Sequence, residues 1–192
     1  LQLLATGTGP LRDMLETLGA WDPTALPGGG GPRDYLALLA TAWRSLIVHG
    51  NYLAAADWDF LAQRASHMAV VYCPRTHDYF QHDPYPLADI LRRGVRVVVG
   101  TDSRASSPDV SLWEELRTLA RVHPHVAPSQ ILRMGTLDAA AALGCDDQVG
   151  SLAPGKRADM ALVRVHDPLP ADVHTALWES GQAVQGTMCG GC

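Results

Sequence analysis

Three short segments of this sequence end an apolar run in a group capable of acid, base or metal chemistry. Val95-Arg-Val-Val-Val-Gly-Thr-Asp-Ser103 places four valines ahead of a carboxylate, Asp102. Ser45-Leu-Ile-Val-His-Gly50 ends in His49, and Met68-Ala-Val-Val-Tyr-Cys-Pro74 runs into Arg75 and His77. A carboxylate at a strand tip can ligate a divalent cation or accept a proton, and a neutral imidazole beside it can hydrogen-bond attacking water or substrate. Each group also has a plainer reading: Asp102 as the N-cap of the next helix, His49 as a hydrogen-bonded structural residue. Convergence favours chemistry, because parallel strands would project all three tips from the carboxyl edge, where α/β folds keep their sites.

Two such side chains do not complete a catalytic zinc site, which takes three protein ligands and a water. The remaining histidines are poor candidates for the rest. His67 falls in a helix-to-strand turn, His123-Pro-His125 is an H-x-H on a loop after a helix, and His166 and His174 lie in the terminal stretch. Cys189-Gly-Gly-Cys192 has C-x-x-C spacing but no second pair and no helix to lower a thiol pKa, so its plainer reading is two thiols in a Gly-rich end. Four cysteines in a chain of this length make no disulfide framework.

The elements that must position these groups follow from periodicity. Near-continuous apolar runs predict strands covered on both faces rather than half-exposed ones. Helical spacing predicts helices over 10–18, 32–43, 55–65 and 87–93, one entered from Ser107-Pro-Asp109 through Leu112, Leu116 and Leu119, and one over 128–143. Ser129 is the expected N-cap of the last and Gly144 its stop. Residues 75–84 read as loop, and Trp21 to Pro32, rich in Gly and Pro, as a surface excursion. Strand and helix alternate, which predicts right-handed parallel βαβ units. From Val149 short extended pieces broken by Gly and Pro predict a β-rich second unit.

The 192 residues are 47% hydrophobic with a formal charge of -5, an ordinary globular composition. Fifteen scattered Lys and Arg form no basic stripe, which argues against nucleic-acid binding. No apolar run approaches the roughly 18 residues of a membrane span, and no signal peptide opens the sequence, so a cytoplasmic location is the default expectation. Residue 1 is Leu rather than Met and stands inside what reads as a helix, so the chain is expected to be a fragment.

Taken in order, Leu46-Ile-Val-His-Gly-Asn-Tyr-Leu53, Val71-Tyr-Cys-Pro-Arg-Thr-His77 and Val99-Gly-Thr-Asp-Ser103 resemble strands six, seven and eight of an amidohydrolase-superfamily enzyme. Met134-Gly-Thr-Leu-Asp-Ala-Ala-Ala-Ala-Leu-Gly144 and the segment from Gly150 to Val163 resemble that superfamily's return into a small β-sandwich. The branch resembled is that of cytosine deaminase, chlorohydrolase and adenosine-type deaminases, and the likeness covers 7–190. It implies an α/β fold: part of a TIM (β/α)8 barrel over 1–147, then part of a composite β-sandwich domain over 148–192.

In that family an H-x-H on strand one, a His on strand five and an Asp on strand eight bind one divalent ion, zinc or iron, and a Glu after the strand-five His shuttles protons. The resemblance therefore makes Asp102 a metal ligand and proton acceptor, and His49 the group that orients water or polarises the leaving group. Ser103, Arg75 and His77 would face a small-molecule substrate, His77 standing where the family usually has Asn. The implied reaction is hydrolysis of a carbon–nitrogen bond other than a peptide bond, typically deamination of a cyclic amidine, an aminopurine or a nucleoside-like compound. No H-x-x-E occurs in residues 1–48, so the other ligands are expected upstream and the chain alone is expected to be inactive. The rivals are chloride displacement, cyclic-amide opening, a non-catalytic remnant serving as a binding module, and an unrelated parallel α/β binding protein. A partial barrel should leave unpaired edges and an uncovered interior, and so aggregate or form a homo-oligomer.

Overall fold

β-Branched side chains pack well on a pleated surface, and the valine-rich runs accordingly become strands. The computed structural model describes residues 2–24, 31–165, 172–179 and 183–191. In it β1 (Ser45–Val48), β2 (Met68–Tyr72) and β3 (Val97–Val99) form one parallel sheet in the order β1-β2-β3. The register sets Val48 opposite Val71 and Tyr72 opposite Val99, so all three carboxyl ends leave by one edge.

Three helices precede the sheet: α1 (Gln2–Thr6), α2 (Pro10–Thr17) and α3 (Pro32–Leu39). α4 (Ala55–Ala62) joins β1 to β2, and α5 (Pro74–Tyr79) and α6 (Leu87–Arg92) join β2 to β3. α7 (Leu112–Val122), α8 (Pro128–Met134) and α9 (Leu137–Leu143) follow. This is the alternating α/β order that the periodicity predicts. In the terminal stretch β4 (Met160–Val163) pairs antiparallel with β5 (Val184–Met188), with an irregularity between Leu162 and Val163. Between them lies α10 (Val173–Glu179), anchored where the Trp178 indole donates to the carbonyl of Pro128 at 3.0 Å.

The two faces of the sheet are covered unequally. Met68, Val70, Tyr72, Val97 and Val99 pack against Trp58, Leu61, Leu87, Ile90 and Leu116 of the helical layer. On the other face Ala69, Val71 and Val98 cluster with Ala139 and Ala142 of α9. The small alanines let that helix lie close. The register puts Leu46 and Val48 on this second side, where they are 40% and 55% exposed. β2 and β3 are thus buried on both faces, as their composition predicts, whereas β1 is an open edge. Burying one such side chain is worth about 1.5–3 kcal/mol.

Several element boundaries differ from the sequence reading, each for a local reason. The stretch read as loop at 75–84 begins with α5, because Pro74 occupies the first helical turn, where its fixed φ suits a helix and its missing N–H is no loss. α7 starts at Leu112 rather than near Ser107: the side chain of Ser111 accepts the N–H of Glu114, and Ser107 bonds elsewhere. The helix read over 128–143 is two, broken at Gly135 and Thr136, and α8 has Ala127 rather than Ser129 at its N-cap. Gly144 ends α9 in the left-handed conformation, φ 76°, that only glycine adopts readily. α3 stops at Leu39, which leaves Trp43 77% exposed. Among the described residues no helix is long and apolar enough to cross a membrane.

Candidate active site

The end of β1 turns sharply. His49 still pairs with the sheet through its N–H to the carbonyl of Val71, yet its φ is 65°, a left-handed value uncommon for a residue with a side chain. Gly50 follows at φ 64°, where a Cβ would come within 3.2 Å of Val70 and 3.3 Å of Trp58. The His49 carbonyl is held by the Tyr85 hydroxyl, which donates to it at 2.9 Å. Tyr85 lies flat on Tyr72, ring centroids 4.1 Å apart and planes 8° from parallel.

The end of β3 is built in the same way. Gly100 hydrogen-bonds the carbonyl of Tyr72, and a Cβ there would stand 2.6 Å from Val71, so no larger residue fits. Asp102 then takes φ 56°. Its Oδ1 accepts the N–H of Ser103 at 2.7 Å, and its Oδ2 accepts the Ser106 hydroxyl at 3.3 Å. The same Oδ2 lies 3.5 Å from Nε2 of His49. Both side chains are about a third exposed, at a mouth open to solvent.

β2 lies between the strands of His49 and Asp102, and the two side chains meet across its end. That end is Cys73, 2% exposed, whose thiol is pushed up to about 12 by burial and then by the charges of Asp102 and Glu115. The thiol is therefore protonated.

The other expected site residues are placed as follows. Arg75 is bound by its own fold: its guanidinium donates to Asp109 at 2.6 Å and approaches Glu115 at 3.9 Å. Ser103 gives its N–H to Asp102, and its hydroxyl accepts the N–H of Ala105. His77 donates from Nε2 to the carbonyl of Asp83 at 2.9 Å, which leaves Nδ1 as the bare nitrogen, buried and without a partner among the described residues. Burial is the main cause that holds its pKa below the ordinary value. His77 also lines a cavity of about 180 Å³ with Gly50, Leu53, Trp58 and Tyr85 beside the β1 tip. A wider open groove of about 470 Å³ lies on the outer helical layer between α7 and Trp178, with no strand tip in its lining.

His123 of the H-x-H is 7% exposed and bonded through Nε2 to the Tyr72 hydroxyl at 3.3 Å, a packing role. His174 pairs with Asp172. Cys189 is exposed and accepts from Arg157, whereas Cys192 and His166 fall outside the described residues.

Sequence reasoning missed four polar residues that build the site: Thr76, Tyr85, Ser106 and Glu115. Glu115 is fully buried, with Oε2 accepting the N–H of Arg75 at 2.9 Å and Oε1 the Ser107 hydroxyl at 3.4 Å. Burial is the leading cause that raises its pKa. A signal was available: Glu115 falls between Leu112, Leu116 and Leu119 on the apolar stripe of α7, where an acid needs a partner.

The donor chemistry fits a divalent cation in part. A carboxylate and an imidazole 3.5 Å apart suit adjoining ligand and proton-handling roles. Among the described residues, however, no group of three or more His, Cys, Asp or Glu could hold an ion.

With this geometry in view, comparison with known proteins is informative. The sequence profile described as "Amidohydrolase family" matches residues 27–192. The chain is 36% identical over 136 residues to a 5-methylthioadenosine/S-adenosylhomocysteine deaminase of Desulforudis audaxviator, covering 67% of this chain and 31% of that protein. A protein of the same name from Moorella thermoacetica is 31% identical over 172 residues, 86% of this chain and 38% of its own length. Among solved structures, an adenosine deaminase from Xanthomonas campestris with bound zinc superposes with a TM-score of 0.73 at 28% identity, over 93% of this chain and 41% of that one. Helicobacter pylori aminofutalosine deaminase gives 0.82 at 18% identity, over 100% and 48% respectively, which speaks for the fold alone. The chain spans about a third of the length of the curated relatives it matches.

Proposed function

The chain belongs to the amidohydrolase family, and from that premise we propose that it is part of a metal-dependent hydrolase of carbon–nitrogen bonds other than peptide bonds, acting as a deaminase on a nucleoside-like aminopurine. In this reading β1 to β3 are the last three strands of a (β/α)8 barrel, residues 1–147 are barrel, and residues 148–192 contribute to a small β-sandwich. The observation that carries it is the 3.5 Å approach of His49 to Asp102, both on left-handed backbone at parallel strand ends. The deaminase names of the relatives supply the reaction class.

Asp102 would be one ligand of a divalent ion, zinc or iron, with the remaining ligands supplied from outside these residues. Such an ion, when bound, lowers the pKa of water toward neutrality and polarises the electrophilic carbon's substituent. Asp102 takes the proton of the attacking water, its carboxylate held by the Ser103 N–H on Oδ1 and the Ser106 hydroxyl on Oδ2. His49 Nε2 orients the attacking or departing group, and its ring is aimed by the fixed backbone beneath it. His77, which lines the small cavity, is the substrate-facing group of the β2 end. Arg75 and Ser103 act as frame, through Glu115 and Asp109 in one case and Asp102 in the other.

Ammonia release tests the proposal. The whole protein, loaded with zinc, is expected to deaminate 5'-methylthioadenosine, S-adenosylhomocysteine or adenosine, and Asp102→Asn is expected to abolish this. A zinc-loaded protein inactive on all three refutes the nucleoside-deaminase reading.

A further inference from the structure

Behind Asp102 a short chain of buried hydroxyls runs into the protein. Ser106 is 6% exposed and its hydroxyl donates to Asp102 Oδ2 at 3.3 Å. Thr76 is 3% exposed and lies 2.9 Å from the Ser106 oxygen. Proton counting fixes the direction. A carboxylate only accepts, so the single Ser106 proton points to Asp102, and Thr76 must donate to Ser106. Bonds aligned in this sense strengthen one another.

Both hydroxyls sit on segments clamped by a single buried carboxylate. Glu115 takes the N–H of Arg75, the residue before Thr76, and the hydroxyl of Ser107, the residue after Ser106. α5 and the loop after β3 are thereby fixed to α7. From this geometry we propose that Ser106, held by Thr76, is a positioning residue for Asp102. It sets the carboxylate plane together with the Ser103 N–H on the opposite oxygen. The proposal rests on the reading of Asp102 as a metal ligand.

The test uses the whole protein and compares wild type with Ser106→Ala, Ser106→Thr, Thr76→Val and the Ala–Val double variant. Zinc affinity is read by competition with a chromophoric chelator, and kcat and KM by ammonia release. Outer hydrogen bonds to ligands typically govern about 10- to 100-fold in affinity or activity, so Ser106→Ala is expected to weaken zinc binding about 10-fold and to lower kcat with little change in KM. Thr76→Val should act in the same direction. Because the two hydroxyls form one chain, the double variant should be no worse than Ser106→Ala, and Ser106→Thr should recover most of the loss. The proposal is overturned if folded Ser106→Ala binds zinc within about twofold of wild type, or if the two single effects multiply. Should Ser106→Ala fail to fold, the near-isosteric Thr76→Val decides alone, and unchanged zinc affinity overturns the proposal. A wild type that binds zinc but deaminates nothing removes only the substrate reading, since the chelator measurement still decides this one.

Discussion

His49 Nε2 and Asp102 Oδ2 are 3.5 Å apart although their strands are not adjacent. Two strand spacings amount to roughly 9.5 Å, so the side chains must lean toward each other across the end of β2. Left-handed backbone at both residues, φ 65° and 56°, re-aims them. Such conformations in residues other than glycine are strained by about 1–3 kcal/mol each, and strain of this kind collects at functional sites.

Strain and activity should therefore separate at His49. His49→Gly relieves the left-handed conformation, so thermal melting is expected to hold or rise. Ammonia release should fall by about 100-fold or more, the scale of a lost proton-handling group. A parallel loss of melting temperature would count against stored strain.

Asp102→Asn keeps the shape of the side chain but removes its charge. Zinc content of the purified whole protein should drop, and activity should fall by about 1000-fold or more, with the melting temperature of the zinc-free forms nearly equal. Zinc removal from wild type by a chelator should reproduce the loss and zinc addition reverse it.

Tyr85→Phe deletes one hydroxyl and preserves the stack on Tyr72. The bond to the His49 carbonyl is then lost, at about 0.5–1.5 kcal/mol of stability in a denaturant titration. The tip of β1 should loosen, and kcat should fall further than this small stability change alone implies.

His123 gives the fold an acid-side dependence. Burial foremost, then His125 and His77, hold its pKa down at about 4, whereas an unfolded histidine titrates near 6.5. Between these values the unfolded chain binds more protons, so the contribution is complete above about pH 6.5 and is lost as pH falls toward about 4, by up to about 3 kcal/mol. Glu115 acts with the opposite sign, since burial raises its pKa and makes the folded state the better proton binder above the usual carboxylate range. His123→Gln, which keeps a partner for Tyr72, should flatten the difference between stability curves measured at pH 7 and pH 5.

The open edge of β1 makes a prediction about the isolated chain. With Leu46 and Val48 exposed on a strand at the edge of the described sheet, residues 1–192 should elute larger than a monomer, and Leu46→Lys with Val48→Glu should shift them toward one. A wild-type monomer at micromolar concentration would contradict this.

The sequence by itself determined the strands, their parallel sense and the tips that carry chemistry. Val97 to Val99 and Met68 to Tyr72 have no polar position to turn toward water, and such runs admit little but a sheet covered on both faces. It also determined the stop at Gly144 and, through the motifs around His49, Cys73 and Asp102, the family. Tertiary structure alone decided that His49 and Asp102 meet over an intervening strand, because that depends on strand order and on two φ values that local propensity disfavours. It alone decided that Arg75 is bonded to Asp109 and Glu115, which are 34 and 40 residues away along the chain. Thr76 and Ser106, 30 residues apart, read as ordinary loop hydroxyls until folding buries them side by side. A buried polar group must find a partner, and which partner it finds is a property of packing rather than of neighbours in sequence.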